Sequence, residues 1–164
     1  MSISIRPATL ADIQTIFALV HELADYERLS DEMIATEHDL REAFFGETPR
    51  VFCDLAEYNG QIAGYTVWFY SYSTFRGRHG IWMEDVFVRP EFRGKGIGKA
   101  LLAHLARTCV SENLARLEWS VLDWNEPSIV FYKTIGARLM QEWMNCRLTG
   151  APLWQLADDA RSKA

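Results

Sequence analysis

The spacing of apolar and polar residues changes period several times along the chain. Near the start Ile3 and Ile5 alternate with Ser4 and Arg6, the two-residue period of a strand with one buried face. Pro7 stands at the end of that run. From Ile13 the period lengthens: Ile13, Ile16, Phe17, Val20 and Leu23 predict a helix from about Ala11 to about Tyr26. Thr9-Leu10-Ala11-Asp12 supplies a capping oxygen with an acid three residues on. Thr36-Glu37-His38-Asp39 repeats that start signal, Leu40, Phe44 and Phe45 form an apolar face, and Gly46 closes this second helix.

The middle of the chain is strand-like. Val51 to Tyr58 runs into Asn59-Gly60, a hairpin signal, and Gln61 to Tyr72 continues as the partner, rich in β-branched and aromatic residues. Ser73 to Gly80 holds turn formers and two arginines and is expected to be a loop. Ile81 to Val88 reads as the next strand, and Ala100 to Glu112 as an amphipathic helix. Arg116 to Leu122 alternates as a fifth strand. Asn125 caps a further helix with Pro127 in its first turn, and Gly136 ends it. Ala137 to Glu142 and Trp143 to Leu148 are expected as two final strands, and Ala151 to Ala164 as a closing helix, frayed at its end. Without repeat, low-complexity tract or linker, 164 residues predict one domain, residues 1–164, of α/β (α+β) class. Its sheet is mixed and flanked by helices.

Between the fourth strand and its helix lies Arg93-Gly94-Lys95-Gly96-Ile97-Gly98-Lys99. Glycine at every second position leaves backbone N–H groups uncovered at a helix N-terminus, where the dipole favours an anion. Arg93, Lys95 and Lys99 add positive charge. A phosphate, best a pyrophosphate, suits such a loop, though a bare strand-to-helix turn has the same composition. A nucleoside-triphosphate loop fits poorly, because Gly98-Lys99 is followed by Ala100 rather than Ser or Thr. A dinucleotide fold fits no better, since a meander of strands precedes the loop and the next strand lacks the terminal acid.

Charge and cysteine usage narrow the picture further. A formal net charge of −5 argues against nucleic acid as a partner. Cys53, Cys109 and Cys146 are odd in number and in no ligand spacing, which reads as core thiols in a reducing compartment. His21, His38, His79 and His104 show no metal-ligand spacing either, so no metal is expected. No apolar run has the roughly 20 residues a membrane span needs, and the N-terminus carries no cleavage-like signal. A cytoplasmic protein is the expectation.

Two separated motifs carry a resemblance. Glu84-Asp85-Val86-Phe87-Val88 followed by Arg93-Gly94-Lys95-Gly96-Ile97-Gly98 is similar to the acetyl-CoA signature of the GCN5-related N-acetyltransferase (GNAT) superfamily. Trp124-Asn125-Glu126-Pro127-Ser128 with Phe131-Tyr132-Lys133 and Gly136-Ala137 resembles that superfamily's second signature. Met83-Glu84-Asp85, Leu122-Asp123-Trp124-Asn125 and Glu22-Leu23-Ala24-Asp25-Tyr26-Glu27 resemble its diamine acetyltransferase branch, which includes spermidine/spermine and thialysine acetyltransferases. The resemblance implies the GNAT fold, a mostly antiparallel sheet of about seven strands, and direct acetyl transfer from acetyl-CoA to the primary amine of a small molecule. It also implies a homodimer joined through the C-terminal strands.

The resemblance gives roles to residues. Tyr132 matches the general acid for the departing thiolate, and Glu84 the base, acting through a water. As residues alone, Tyr132 also suits a helix–sheet interface and Glu84 an outward strand position. Regular alternation would send Asp85 to the face opposite Glu84, leaving it to steer the cation or support the loop. Phe87 and Val88 would offer backbone groups to the pantetheine arm, Gly94 to Lys99 would hold the pyrophosphate with Arg93, and Asn125 and Ser128 would also touch the cofactor. Tyr26, Glu27 and Trp82, with Glu84 and Asp85, would line the amine cleft. The cationic stretch Ser73-Thr74-Phe75-Arg76-Gly77-Arg78 departs from the polyamine pattern and favours an acceptor that carries a carboxylate. A protein or peptide N-acetyltransferase, or a non-catalytic acyl-CoA-binding module, are the alternatives.

Overall fold

The computed structural model describes residues 2–161, and the chain divides into two compact units, Met1–Ser120 and Val121–Ala164. The first holds one sheet of five strands: β1 (Ile3–Pro7), β2 (Phe52–Tyr58), β3 (Gln61–Ser73), β4 (Arg78–Val88) and β5 (Leu117–Trp119). They lie side by side in chain order, the first four antiparallel and β5 parallel to β4. Three helices accompany them: α1 (Ile13–Glu27), α2 (Glu37–Phe45) and α3 (Ile97–Ser111).

The start signals act as their chemistry requires. Asp12 Oδ2 accepts from both the N–H and the hydroxyl of Thr9 at 2.8 Å, and a single 3₁₀ turn, Leu10–Asp12, leads into α1. Arg6 grips the same carboxylate, which holds Asp12 well below the usual carboxylate range. Thr36 and Asp39 cap α2 reciprocally, N–H to Oδ2 at 2.8 Å and N–H to Oγ1 at 3.2 Å. Asn59 and Gly60 take φ of 51° and 80°, the left-handed pair that a two-residue hairpin needs.

Strand alternation sorts the core onto two faces. Leu55, Tyr65, Val67 and Phe87 pack with Ile16, Leu19 and Leu23 of α1 and Phe44 of α2. On the other face Ala56 and Ala63 meet Ile97 and Leu101 of α3. Asp54 is buried on that second face and is satisfied by the Trp68 indole N–H at 2.7 Å, with His104 Nε2 at 3.5 Å.

Three expectations need correction. The stretch from Ser73 to Gly80 is not a long loop: β3 and β4 extend toward each other and only residues 74–77 turn, with Gly77 at φ 60°. The fifth strand is short, Leu117–Trp119 rather than Arg116 to Leu122. The sheet has five strands, not seven. In the second unit α4 (Glu126–Thr134) and α5 (Gly150–Arg161) form, but residues 137–149 form no strand. Alternation marks which side a strand would bury once it is paired; it does not supply the neighbour that makes pairing stable. Residues 162–164 of the expected closing helix lie outside the described residues. No helix among the described residues is long and apolar enough to cross a membrane.

Candidate active site

The site is built on an irregularity in β4. Val67 of β3 pairs with Asp85 and the next residue, Trp68, pairs with Met83, so Glu84 is an extra residue without a partner. This is a β-bulge, which re-aims side chains. Met83 and Asp85 sit two apart yet fall on opposite faces. Asp85, opposite Val67, joins the α1/α2 face. So does Trp82, opposite Phe69, and its indole N–H donates to Glu84 Oε2 at 2.9 Å. Glu84 and Asp85 therefore share one side, which corrects the expectation from regular alternation. Trp82 orients the Glu84 carboxylate by a hydrogen bond, beyond the lining role read from the sequence.

A third carboxylate approaches from α1. That helix ends at Glu27, with Arg28 in the left-handed conformation at φ 62°. Burial raises the Glu27 pKa above its ordinary value. Asp85 is half-buried, and burial first, then the charges of Glu84 and Glu27, push it up to about 6 against the opposing hydrogen bond from Tyr65. The Tyr65 hydroxyl donates to Asp85 Oδ2 at 3.2 Å. Tyr26 and Phe87 form an aromatic wall beside it, their ring centroids 6.4 Å apart. Tyr26, Glu27, Trp82, Glu84 and Asp85 thus converge on one face of the sheet. The set attracts cations and includes a carboxyl group poised near neutrality.

β5 pairs with only part of the edge of β4 that faces it. Pairing with β5 ends at Met83 and Trp119, so among the described residues no strand covers Glu84 to Val88 on that side. After Val88 the chain makes one 3₁₀ turn, Pro90–Phe92, and enters the glycine loop. Gly94 and Gly96 have φ of 74° and 83°, and a Cβ on either would meet nothing within 4 Å. No side-chain hydrogen bond caps the start of α3 at Gly96. No acid stands in the first turn of α3, whereas Lys99 does, exposed. A cation there opposes the helix dipole unless an anion binds.

Two of the loop cations are held by the protein itself. Arg93 Nε donates to the Val88 carbonyl at 2.9 Å, and its guanidinium lies over the Tyr26 and Phe87 rings at 4.6 and 5.6 Å. Lys95 donates to the Glu91 carbonyl and stands over the Tyr58 and Phe92 rings. Arg78, read as part of an acceptor-facing loop, bonds Asn113 Oδ1 at 3.0 Å beyond α3. It lies about 20 Å along β4 from Glu84 at ~3.3 Å per residue, so it takes no part in this cluster.

Sequence reasoning missed two residues here. Tyr65 looked like ordinary strand filling; its signal was a polar tip in an otherwise apolar central strand. Arg89 fixes the end of β4 to α1 through a bidentate pair with Glu22, Nη2 to Oε1 at 2.8 Å and Nε to Oε2 at 2.9 Å. In the second unit Asn125 caps α4, its Oδ1 accepting from the Ser128 N–H at 3.4 Å, and both Asn125 and Tyr132 are buried.

The family model described as Acetyltransferase (GNAT) family matches residues 13–137, and the chain belongs to that family. It is an enzyme of the family, an amine N-acetyltransferase. It is 37% identical to the thialysine N-epsilon-acetyltransferase of Bos taurus, with 94% of this chain and 97% of the relative covered. The L-ornithine N5-acetyltransferase of Arabidopsis thaliana is 30% identical over 91% of this chain and 85% of its own length. Among solved structures, an integron cassette protein from the mobile metagenome of V. cholerae superposes with a TM-score of 0.80 at 29% identity, covering 96% of this chain and 98% of its own.

Proposed function

We propose that the protein moves the acetyl group of acetyl-CoA to the side-chain amine of a thialysine-like amino acid, by direct attack in a ternary complex. The observation that carries this reading is the bulge at Glu84. It gathers Glu84 and Asp85 with Glu27 on one face, beside an open strand edge that leads straight to the helix N-terminus opened by glycine. A site for a cationic amine and a site for a pyrophosphate thus occupy one strand.

The roles follow from the chemistry. Amine attack on a thioester needs a neutral amine and a proton for the leaving thiolate. Glu84, oriented by Trp82, takes the amine proton through a water. Asp85 and Glu27 hold the acceptor's positive charge, and Tyr26 and Trp82 flank it. The backbone of Phe87 and Val88 binds the pantetheine arm as an added strand. Val88 does so after Arg93 leaves its carbonyl. The N–H groups from Gly94 to Lys99, among them those of Gly96, Ile97 and Gly98, bind the pyrophosphate, with the side chains of Arg93, Lys95 and Lys99 nearby. Tyr132 protonates the thiolate, and Asn125 and Ser128 contact the cofactor. The two units act as one domain, a reading supported by a family match that runs across both. The protein works in the cytoplasm as a homodimer, with no nucleic acid, membrane or metal involved.

The named relatives favour an amino-acid acceptor over a polyamine. A panel of thialysine, lysine, ornithine, putrescine and spermidine with acetyl-CoA, read by thiol release, tests this. Thialysine or ornithine is expected to give the highest kcat/KM, and clear preference for spermidine would sink the assignment.

A further inference from the structure

Tyr65 stands apart from the rest of the core. Its side chain is fully buried, where a phenylalanine would fill the same volume without a polar atom to satisfy. Its register partner on β4 is Phe87, and its ring packs edge-on against that ring at 6.5 Å. The hydroxyl reaches diagonally, two residues along β4, to Asp85 Oδ2 at 3.2 Å. A buried phenol normally finds an acceptor in backbone or water; here it finds a half-buried carboxylate of the cluster on the amine face.

The surroundings make that bond consequential. The groups that bear on Asp85 are Glu84 on its own strand, Glu27 at the end of α1, and Cys53 on β2, whose thiol burial pushes up and the Asp85 charge raises further. The Arg93 guanidinium is engaged over Tyr26 and Phe87. Among the described residues the donor to the Asp85 carboxylate is Tyr65. Burial and the Asp85 charge keep the Tyr65 pKa well above its ordinary value, so the phenol remains a donor throughout the working pH range.

We propose that Tyr65 is a positioning residue, whose sealed phenol holds the Asp85 carboxylate aimed across the sheet to receive the acceptor's ammonium group. This rests on the amine-acceptor reading given above. A phenol that donates favours the ionised carboxylate, so removing it weakens Asp85 as a cation site most where the group is close to titrating.

The test is Tyr65→Phe, which removes one oxygen and keeps the ring, with steady-state kinetics on thialysine and acetyl-CoA from pH 5 to 9. The amine KM is expected to rise about ten-fold near neutrality, the scale of one lost hydrogen bond to a charged group. The acid limb of kcat/KM should move to higher pH, while kcat at alkaline pH and the acetyl-CoA KM stay put. On an Asp85→Asn background, Tyr65→Phe should add nothing further. A variant that raises both KM values and lowers kcat without moving the acid limb would make Tyr65 a core residue only. So would an unchanged effect on the Asp85→Asn background. A wild-type enzyme that acetylates no amine in the panel would instead overturn the functional reading, and this inference with it.

Discussion

Glu84 occupies the position of β4 that has no cross-strand partner, so the ladder does not set the direction of its side chain. Replacing it with Gln keeps an acceptor for the Trp82 N–H and removes the carboxylate proposed as the base. Glu84→Gln is expected to lower kcat roughly 100-fold, the lower range for a positioned base, with the acetyl-CoA KM unchanged in steady-state assays. Tyr132→Phe should lower kcat on a similar scale, roughly 100-fold, with wild-type melting behaviour; unaltered turnover in both variants would remove the catalytic assignment. Asp85 makes an opposite prediction for stability. Its pKa rises from 3.8 to about 6 on folding. The folded chain therefore binds this proton more tightly than the unfolded one. The group favours folding as pH falls through about 6 toward 4, and above about 6 its buried charge costs stability, at most about 3 kcal/mol. Asp85→Asn should raise Tm by several degrees at pH 8, with the gain gone below pH 4, while amine binding is lost. A Tm that falls equally at both pH values would contradict this sign.

At the scale of elements, the end of β4 depends on how closely β3 approaches it. Gly64 pairs with Val88, and a Cβ at Gly64 would lie 2.3 Å from the Phe87 carbonyl oxygen and 3.1 Å from Val88 Cα. Gly64→Ala must push apart the two strands at the backbone assigned to the pantetheine arm. It is expected to destabilise the fold by about 2–4 kcal/mol, measured by denaturant melts. The acetyl-CoA KM should rise more than the amine KM, and equal increases would argue against this stretch of β4 as the cofactor edge. Much of this architecture was legible in the sequence because the signals were local. Thr36 and Asp39 make a cap from neighbours in the chain, and Asn59-Gly60 makes a turn from two residues. The bulge was not legible, because an unpaired Glu84 is a relation between β3 and β4 rather than a property of either. The side of the sheet on which Asp85 falls, and its contact with Tyr65, followed from that register and were hidden with it. Arg78 failed for the same reason: its charge was visible, but its partner Asn113 lies 35 residues away.

At the scale of the molecule, the second unit presents the largest mismatch between composition and burial. Trp143, Met144, Trp154 and Leu156 are 73%, 89%, 72% and 61% exposed. Isolated apolar side chains on a surface need no explanation, but several large ones within one short segment, two of them tryptophans, would gain by being covered. The same unit contains Ala137 to Glu142 and Trp143 to Leu148, the two stretches expected as final strands, and neither forms a strand. Both observations follow if the partner for this segment is another copy of the chain. A strand from a second protomer would supply the missing ladder, and a two-fold arrangement would cover the same side chains on both. Sedimentation equilibrium across the micromolar range is expected to show a dimer. Trp143→Glu with Trp154→Glu should shift it to monomer, because two charges would enter the covered surface. Circular dichroism should then show less strand in the double variant than in the dimer. A wild-type chain that sediments as a monomer throughout that range would leave residues 137–149 as an irregular segment and remove the dimer from the functional reading.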